Sequence, residues 1–139
     1  MFGFNDRLTT KSLGALFGVF LSAFLLAMPV AQAQTAATLN PTAFSQQIVK
    51  AKGQLIDVRT PEEFEQGHLF GAVNINFYDP QFEKKLSALN KTMPLYLYCR
   101  SGARSGQALA IAQNAGFKKA THLSGGILAW QSEGKKVVT

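Results

Sequence analysis

The chain has 139 residues, 47% of them hydrophobic and 16% charged, with a net charge of +6 and a single cysteine. That length and apolar content are enough for one compact domain with its own core, and no internal repeat, low-complexity tract or second domain is visible. A lone cysteine excludes an internal disulfide, and the lack of a basic stripe interleaved with aromatics argues against a nucleic-acid partner.

The first thirty-three residues read as a secretory leader. Arg7 and Lys11 precede the uncharged run "LGALFGVFLSAFLLAM" (13–28), Pro29 ends it, and "AQA" (31–33) supplies small residues at a cleavage site. The mature domain is then expected at 34–139, outside the cytoplasm and in the periplasm. The alternative is an uncleaved anchor facing the same compartment, because the run approaches the ~18–20 residues of a spanning helix. Any membrane contact is expected through this segment alone. Arg7, Lys11 and Asp6 lie in the leader, which leaves 34–139 with twelve Lys/Arg, seven Asp/Glu and a net charge of +5. The "KK" pairs at 84, 118 and 135 read as solvated faces, and the mild positive field suits small anions.

Asn40 and Pro41 open the first predicted helix as cap and first residue; Phe44, Ile48 and Ala51 mark its face, and Gly53 ends it. "QLIDV" (54–58) is a short apolar strand. Thr60-Pro61-Glu62-Glu63 fits a capping box with proline at the first helical position, and Gly67 closes that short helix. "AVNIN" (72–76) is a second strand, and Phe82, Leu86 and Leu89 predict a helix between Asp79 and Asn90. "PLYLY" (94–98) is continuously apolar and aromatic, as in a strand covered on both faces. Ala108, Ile111, Ala112 and Ala115 form a helical stripe from Arg104 to Gly116. "ATHL" (120–123) is a further strand, and Ile127 and Trp130 mark a last helix after Gly125-Gly126. Strands and helices alternate throughout, which predicts an α/β domain: a mostly parallel central sheet flanked by helices on both faces. Ligands bind at the carboxyl ends of such strands, and Cys99 directly follows the strongest one.

The connection Cys99–Ala103 is short. If it curls on itself, its N–H groups converge on the sulfur, joined by the unpaired donors of the following helix and by the charges of Arg100 and Arg104. Such surroundings lower a cysteine pKa from ~8.5 into the range ~3.5–7.5, so Cys99 is expected to be a nucleophilic thiolate. Gly102 permits a positive backbone angle and close approach. Ser101 and Ser105 add hydroxyl donors, and Ser105 can steady the thiolate. The bland alternatives are a buried cysteine acting as a small hydrophobe and arginines that face water.

Three separated stretches carry a resemblance. "CRSGAR" (99–104), "DVRTPEEFEQGHLFGAVNI" (57–75) and "SGGILAW" (124–130) are similar, in this order, to the signatures of the rhodanese-like sulfurtransferase family, across nearly all of 38–133. With its leader the chain resembles a periplasmic single-domain rhodanese. The resemblance implies a sulfurtransferase that takes a sulfane sulfur from a small anionic donor such as thiosulfate onto Cys99 as a persulfide. It then passes the sulfur to a thiol, cyanide or a protein acceptor. Arg100, Ser101, Gly102, Ala103, Arg104 and Ser105 would hold the donor, while Asp57, Arg59 and His68 would brace the fold. A non-turnover sulfur carrier or partner-binding module is the alternative. The rival class, cysteine-dependent phosphatases and arsenate reductases, uses five residues between cysteine and arginine. Here four intervene and Ser105 follows, with no aspartate near the loop to act as an acid. His122 and Trp130 read as structural. No Cys/His spacing suits a metal, and no phosphate loop or dinucleotide fingerprint occurs, so no cofactor is expected.

Overall fold

The computed structural model describes residues 37–139, and the expected leader and its cleavage site lie outside them. Five parallel strands form one sheet in the order β1-β5-β4-β2-β3, so the chain crosses over repeatedly and each crossover carries a helix. The strands are β1 (Thr38–Leu39), β2 (Gln54–Asp57), β3 (Val73–Asn74), β4 (Leu95–Tyr98) and β5 (Ala120–Leu123). The helices are α1 (Pro41–Lys50), α2 (Pro61–Glu65), α3 (Phe82–Ser87), α4 (Ala103–Asn114) and α5 (Gly126–Ser132).

β4 lies at the centre because every one of its side chains is apolar enough to be covered. Leu95 and Leu97 face a core with Phe82 and Leu86 of α3 and Ala108, Leu109 and Ala112 of α4. Tyr96 and Tyr98 face the opposite core, with Phe44 of α1 and Ile127 of α5. Leu55 and Ile56 of β2 divide between the same two clusters, as the two-residue period of a strand requires. This is the sheet covered on both faces that the alternating pattern predicts.

Local chemistry sets the helix starts. Asn40 Oδ1 accepts from the Ala43 amide at 2.8 Å, with Pro41 at the first helical position. Thr60 and Glu63 form a reciprocal capping box: Thr60 Oγ1 accepts from the Glu63 amide at 3.3 Å, and Glu63 Oε2 accepts from the Thr60 amide at 3.0 Å.

The structure adds one strand to the expected order and shortens another. Thr38 and Leu39, which no predicted element included, pair in parallel with His122 and Leu123 as a fifth strand. Two residues are too few for a periodic signal, so only the long-range pairing reveals them. The strand expected over 72–76 pairs only at Val73–Asn74, opposite Ile56 and Asp57. The registers bring Val58, Cys99 and Ser124 to the same carboxyl edge of the sheet. Near the chain end, Val138 forms an antiparallel bridge with His68.

Candidate active site

Cys99 follows β4 directly, and the loop from it to α4 is gripped from two sides. The first amides of α5 point at the loop backbone: Ile127 N–H donates to the Cys99 carbonyl at 2.9 Å and Leu128 N–H to the Arg100 carbonyl at 3.2 Å. That approach requires glycine at 126. A Cβ there would lie 2.3 Å from the Arg100 carbonyl oxygen, and φ is +61°. Gly102 caps α4 at φ +106°, and a Cβ on it would stand 3.3 Å from the Gly125 nitrogen. The Gly-Gly of "SGGILAW" thus belongs to the site as a seat for the cysteine loop.

The Cys99 side chain is almost fully enclosed, at 1% exposure. The Gly102 amide donates to Sγ at 3.0 Å, and Ser105 Oγ lies 3.4 Å from it. Burial alone pushes the thiol up. The Ser105 hydroxyl and the amides of Ser105, Gly102 and Ser101 outweigh it, and the net shift is downward from the ordinary thiol value. The surroundings therefore shift the sulfur towards the thiolate, a nucleophile, and the same amide donors suit a negatively charged sulfur atom bound to it.

The expectation that two guanidinium groups lower this pKa holds only in part: hydrogen bonds lead, and Arg104 contributes by its charge without touching the sulfur. Arg104 turns to α2 and forms a two-pronged pair with Glu63, Nη1 to Oε2 at 2.7 Å and Nη2 to Oε1 at 2.8 Å. The hydrogen bond from Arg104 holds the Glu63 carboxyl at about 2, against the opposing effect of burial. The Arg104 charge is thereby matched within the protein, and its guanidinium lies 5.6 Å from the centre of the exposed Tyr78 ring. Arg100 is exposed, and its side chain has no hydrogen bond or ion pair among the described residues, so it is an open cation beside the loop. Hydrogen bonds lead in depressing the Cys99 pKa, and the Arg104 charge acts on the sulfur only from a distance.

The remaining sequence candidates separate from the sulfur. Asp57 and Arg59 are buried and paired, Nη2 to Oδ2 at 2.6 Å, and Arg59 also donates to the Gly67 carbonyl at 2.6 Å. They tie the end of β2 to the turn after α2. His68 donates from Nδ1 to the Phe64 carbonyl at 3.0 Å and stacks on the Phe64 ring, so it locks the same turn. Ser101 and Ala103 are exposed, while Ser105 is completely buried beside the sulfur. Three residues that sequence reasoning did not place here join the constellation: Glu63, Tyr78 and His122, whose Nδ1 is 3.0 Å from Ser105 Oγ. Glu63 had a local signal, since a capping-box carboxylate sits at a helix N-terminus on the ligand edge. Tyr78 and His122 had none. Among the described residues no cluster of three His, Cys, Asp or Glu side chains could hold a metal, and no helix is long and apolar enough to cross a membrane.

This sheet, with a cysteine loop seated on a glycine pair, defines a class of protein. Residues 40–133 match the rhodanese-like domain family, and the chain belongs to that family. It is 36% identical over 115 residues to the Bacillus subtilis protein YqhL, covering 83% of this chain and 87% of that one. It is 37% identical over 84 residues to a sulfurtransferase of Allochromatium vinosum, covering 60% of this chain and 77% of that protein. Its fold resembles the crystal structure of a rhodanese-related protein from Thermoplasma volcanium, with a TM-score of 0.65 and 27% identity over 73% of this chain and 96% of that one. The α/β architecture implied by the sequence resemblance is the one observed.

Proposed function

We propose that this protein is a sulfurtransferase that moves a sulfane sulfur from an anionic donor such as thiosulfate to cyanide or a thiol through a persulfide on Cys99. The observation that carries the reading is the Cys99 sulfur held below its ordinary pKa by the Ser105 hydroxyl and the loop amides, despite burial. The thiolate attacks the outer sulfur of the donor. The donor's S–S bond breaks, sulfite leaves with the bonding electron pair, and a Cys99 persulfide anion remains. Loop amides, including those of Ser101, Gly102 and Ser105, hold the charge of the terminal sulfur. Arg100 meets the oxyanion end of the donor, while Arg104, clamped by Glu63, frames the loop. Cyanide then attacks the terminal sulfur, forming thiocyanate and returning the Cys99 thiolate.

A phosphatase reading is disfavoured on two counts. The loop has one residue fewer than that chemistry uses, and the arginine that would grip a phosphate dianion is already matched by Glu63. The assay is thiocyanate formation from thiosulfate and cyanide. Cys99→Ser is expected to abolish it, and retained activity would overturn the mechanism.

The exposed Tyr78 ring beside Arg104 suits a protein acceptor and favours a second reading as a sulfur carrier. Intact-mass measurement after donor exposure separates the two. A carrier keeps one added sulfur in the presence of cyanide, whereas the enzyme releases it. We further propose export to the periplasm, supported by the charged, apolar and small-residue order of 1–33. The mass of protein from the envelope fraction distinguishes a chain starting at Gln34 from one retained as an anchor.

A further inference from the structure

His122 has no part in the mechanism above, yet both of its ring nitrogens meet hydroxyl groups. Nδ1 lies 3.0 Å from Ser105 Oγ and Nε2 lies 3.1 Å from Thr38 Oγ1. Ser105 Oγ is in turn 3.4 Å from Cys99 Sγ. An unbroken file of hydrogen-bonding groups therefore runs from the buried sulfur, through α4 and β5, to Thr38 on the edge strand β1, where the side chain is exposed.

We propose that His122 is a positioning residue for Cys99: through Ser105 it sets the direction of the hydroxyl proton, and with Thr38 it gives the thiol proton a route to solvent at the sheet edge. Ser105 has one hydroxyl hydrogen and three acceptors within reach, namely Cys99 Sγ, His122 Nδ1 and the Gly102 carbonyl at 3.2 Å. With Nδ1 bare, that hydrogen points at the histidine, the thiol donates to Ser105 Oγ, and Nε2–H donates to Thr38. With Nδ1 protonated, the ring donates to Ser105 Oγ, the serine hydrogen turns to the thiolate, and the Thr38 hydroxyl donates to Nε2. The two patterns interconvert by one set of proton shifts. The S–H proton moves to Ser105 Oγ, the serine proton to Nδ1, the Nε2 proton to Thr38 Oγ1, and the proton of Thr38 to water. One proton leaves, one negative charge stays on sulfur, and no other bond is broken.

The surroundings keep the ring neutral, so its tautomer is the variable. Ser105 and Gly106 of α4 and Thr38 of β1 face it, and Leu97 is its register partner on β4. Arg104, also on α4, turns away to Glu63, and Lys118 and Lys119 precede β5 at its other end. Among the described residues no charged side chain contributes to its titration, and burial holds its pKa below the ordinary histidine value.

The inference deepens the reading of Cys99 as the reacting thiol, and its test reads the thiol itself. Ring-nitrogen NMR of the intact protein follows the tautomer while the pH dependence of iodoacetamide alkylation follows Cys99. The Nδ1–H form is expected to grow in step with the thiolate; a tautomer ratio constant across that titration overturns the proposal. His122→Phe is expected to raise the alkylation midpoint by about one pH unit. His122→Asn, whose amide N–H replaces the Nδ1 donor, is expected to restore it. In a Ser105→Ala background His122→Phe should move the midpoint no further. An unshifted midpoint in the single variant, or a shift that persists without Ser105, also overturns the proposal. Failure of the thiocyanate assay would count against the proposed function and leave these readouts intact.

Discussion

Ser105→Ala isolates the largest hydrogen bond that lowers the Cys99 pKa. The hydroxyl is completely buried and stands 3.4 Å from the sulfur, while the Ser105 amide, which also favours the thiolate, survives the substitution. A hydrogen bond to a charged group contributes about 1.5–3 kcal/mol, and a contact this long belongs at the lower end. At about 1.4 kcal/mol per pH unit, losing it raises the Cys99 pKa by about one unit. The amides of Gly102 and Ser101 remain, so the thiol should not rise as far as burial by itself would carry it. The assay is the rate of alkylation by iodoacetamide across pH. Its midpoint should move up by about one unit, and the rate well below both midpoints should fall about tenfold. A midpoint within about 0.3 unit of the parent would refute the claim that this hydroxyl helps hold the charge.

Glu63→Gln tests the clamp on Arg104. The Glu63 carboxyl sits at about 2 in the folded protein, below its ordinary 4.5, so its pairing stabilises the fold above about pH 4.5 and is lost as pH falls towards 2. The melting-temperature gap between parent and variant should be constant above about pH 5 and should close in strong acid; a gap that widens there contradicts the pairing. Gly126→Ala places a methyl group 2.3 Å from a backbone carbonyl at φ +61°, and should destabilise by about 2 kcal/mol or more in urea unfolding and abolish activity. An unchanged unfolding midpoint would mean that the loop is not seated on α5. Asp57→Asn leaves the buried Arg59 without its counter-charge and should destabilise by about 3–5 kcal/mol in the same measurement. A loss under about 1 kcal/mol would show that the pair is not a brace.

What the sequence determined by itself was the local grammar. Four consecutive large apolar residues, Leu95 to Tyr98, dictate a strand covered on both sides, and the Asn40 and Thr60 caps fix where helices begin. Gly102 marks where the chain must turn at a positive backbone angle, and Cys99 had to lie where a strand hands over to a helix. Each of these follows from interactions within a few residues along the chain, which composition and spacing record. Tertiary structure decided the partners. Arg104 finds Glu63 at a separation of 41 residues, and Thr38 finds His122 at 84. No periodicity encodes such pairs, because they arise only when crossovers set β2 beside β4 and β1 beside β5. The same packing chose amides and a serine hydroxyl, ahead of the arginines, as the main groups that favour charge on the sulfur. Enclosure and the Glu63 pair keep the guanidinium arms out of hydrogen-bond contact with the sulfur, whereas the backbone that encloses it lies within reach.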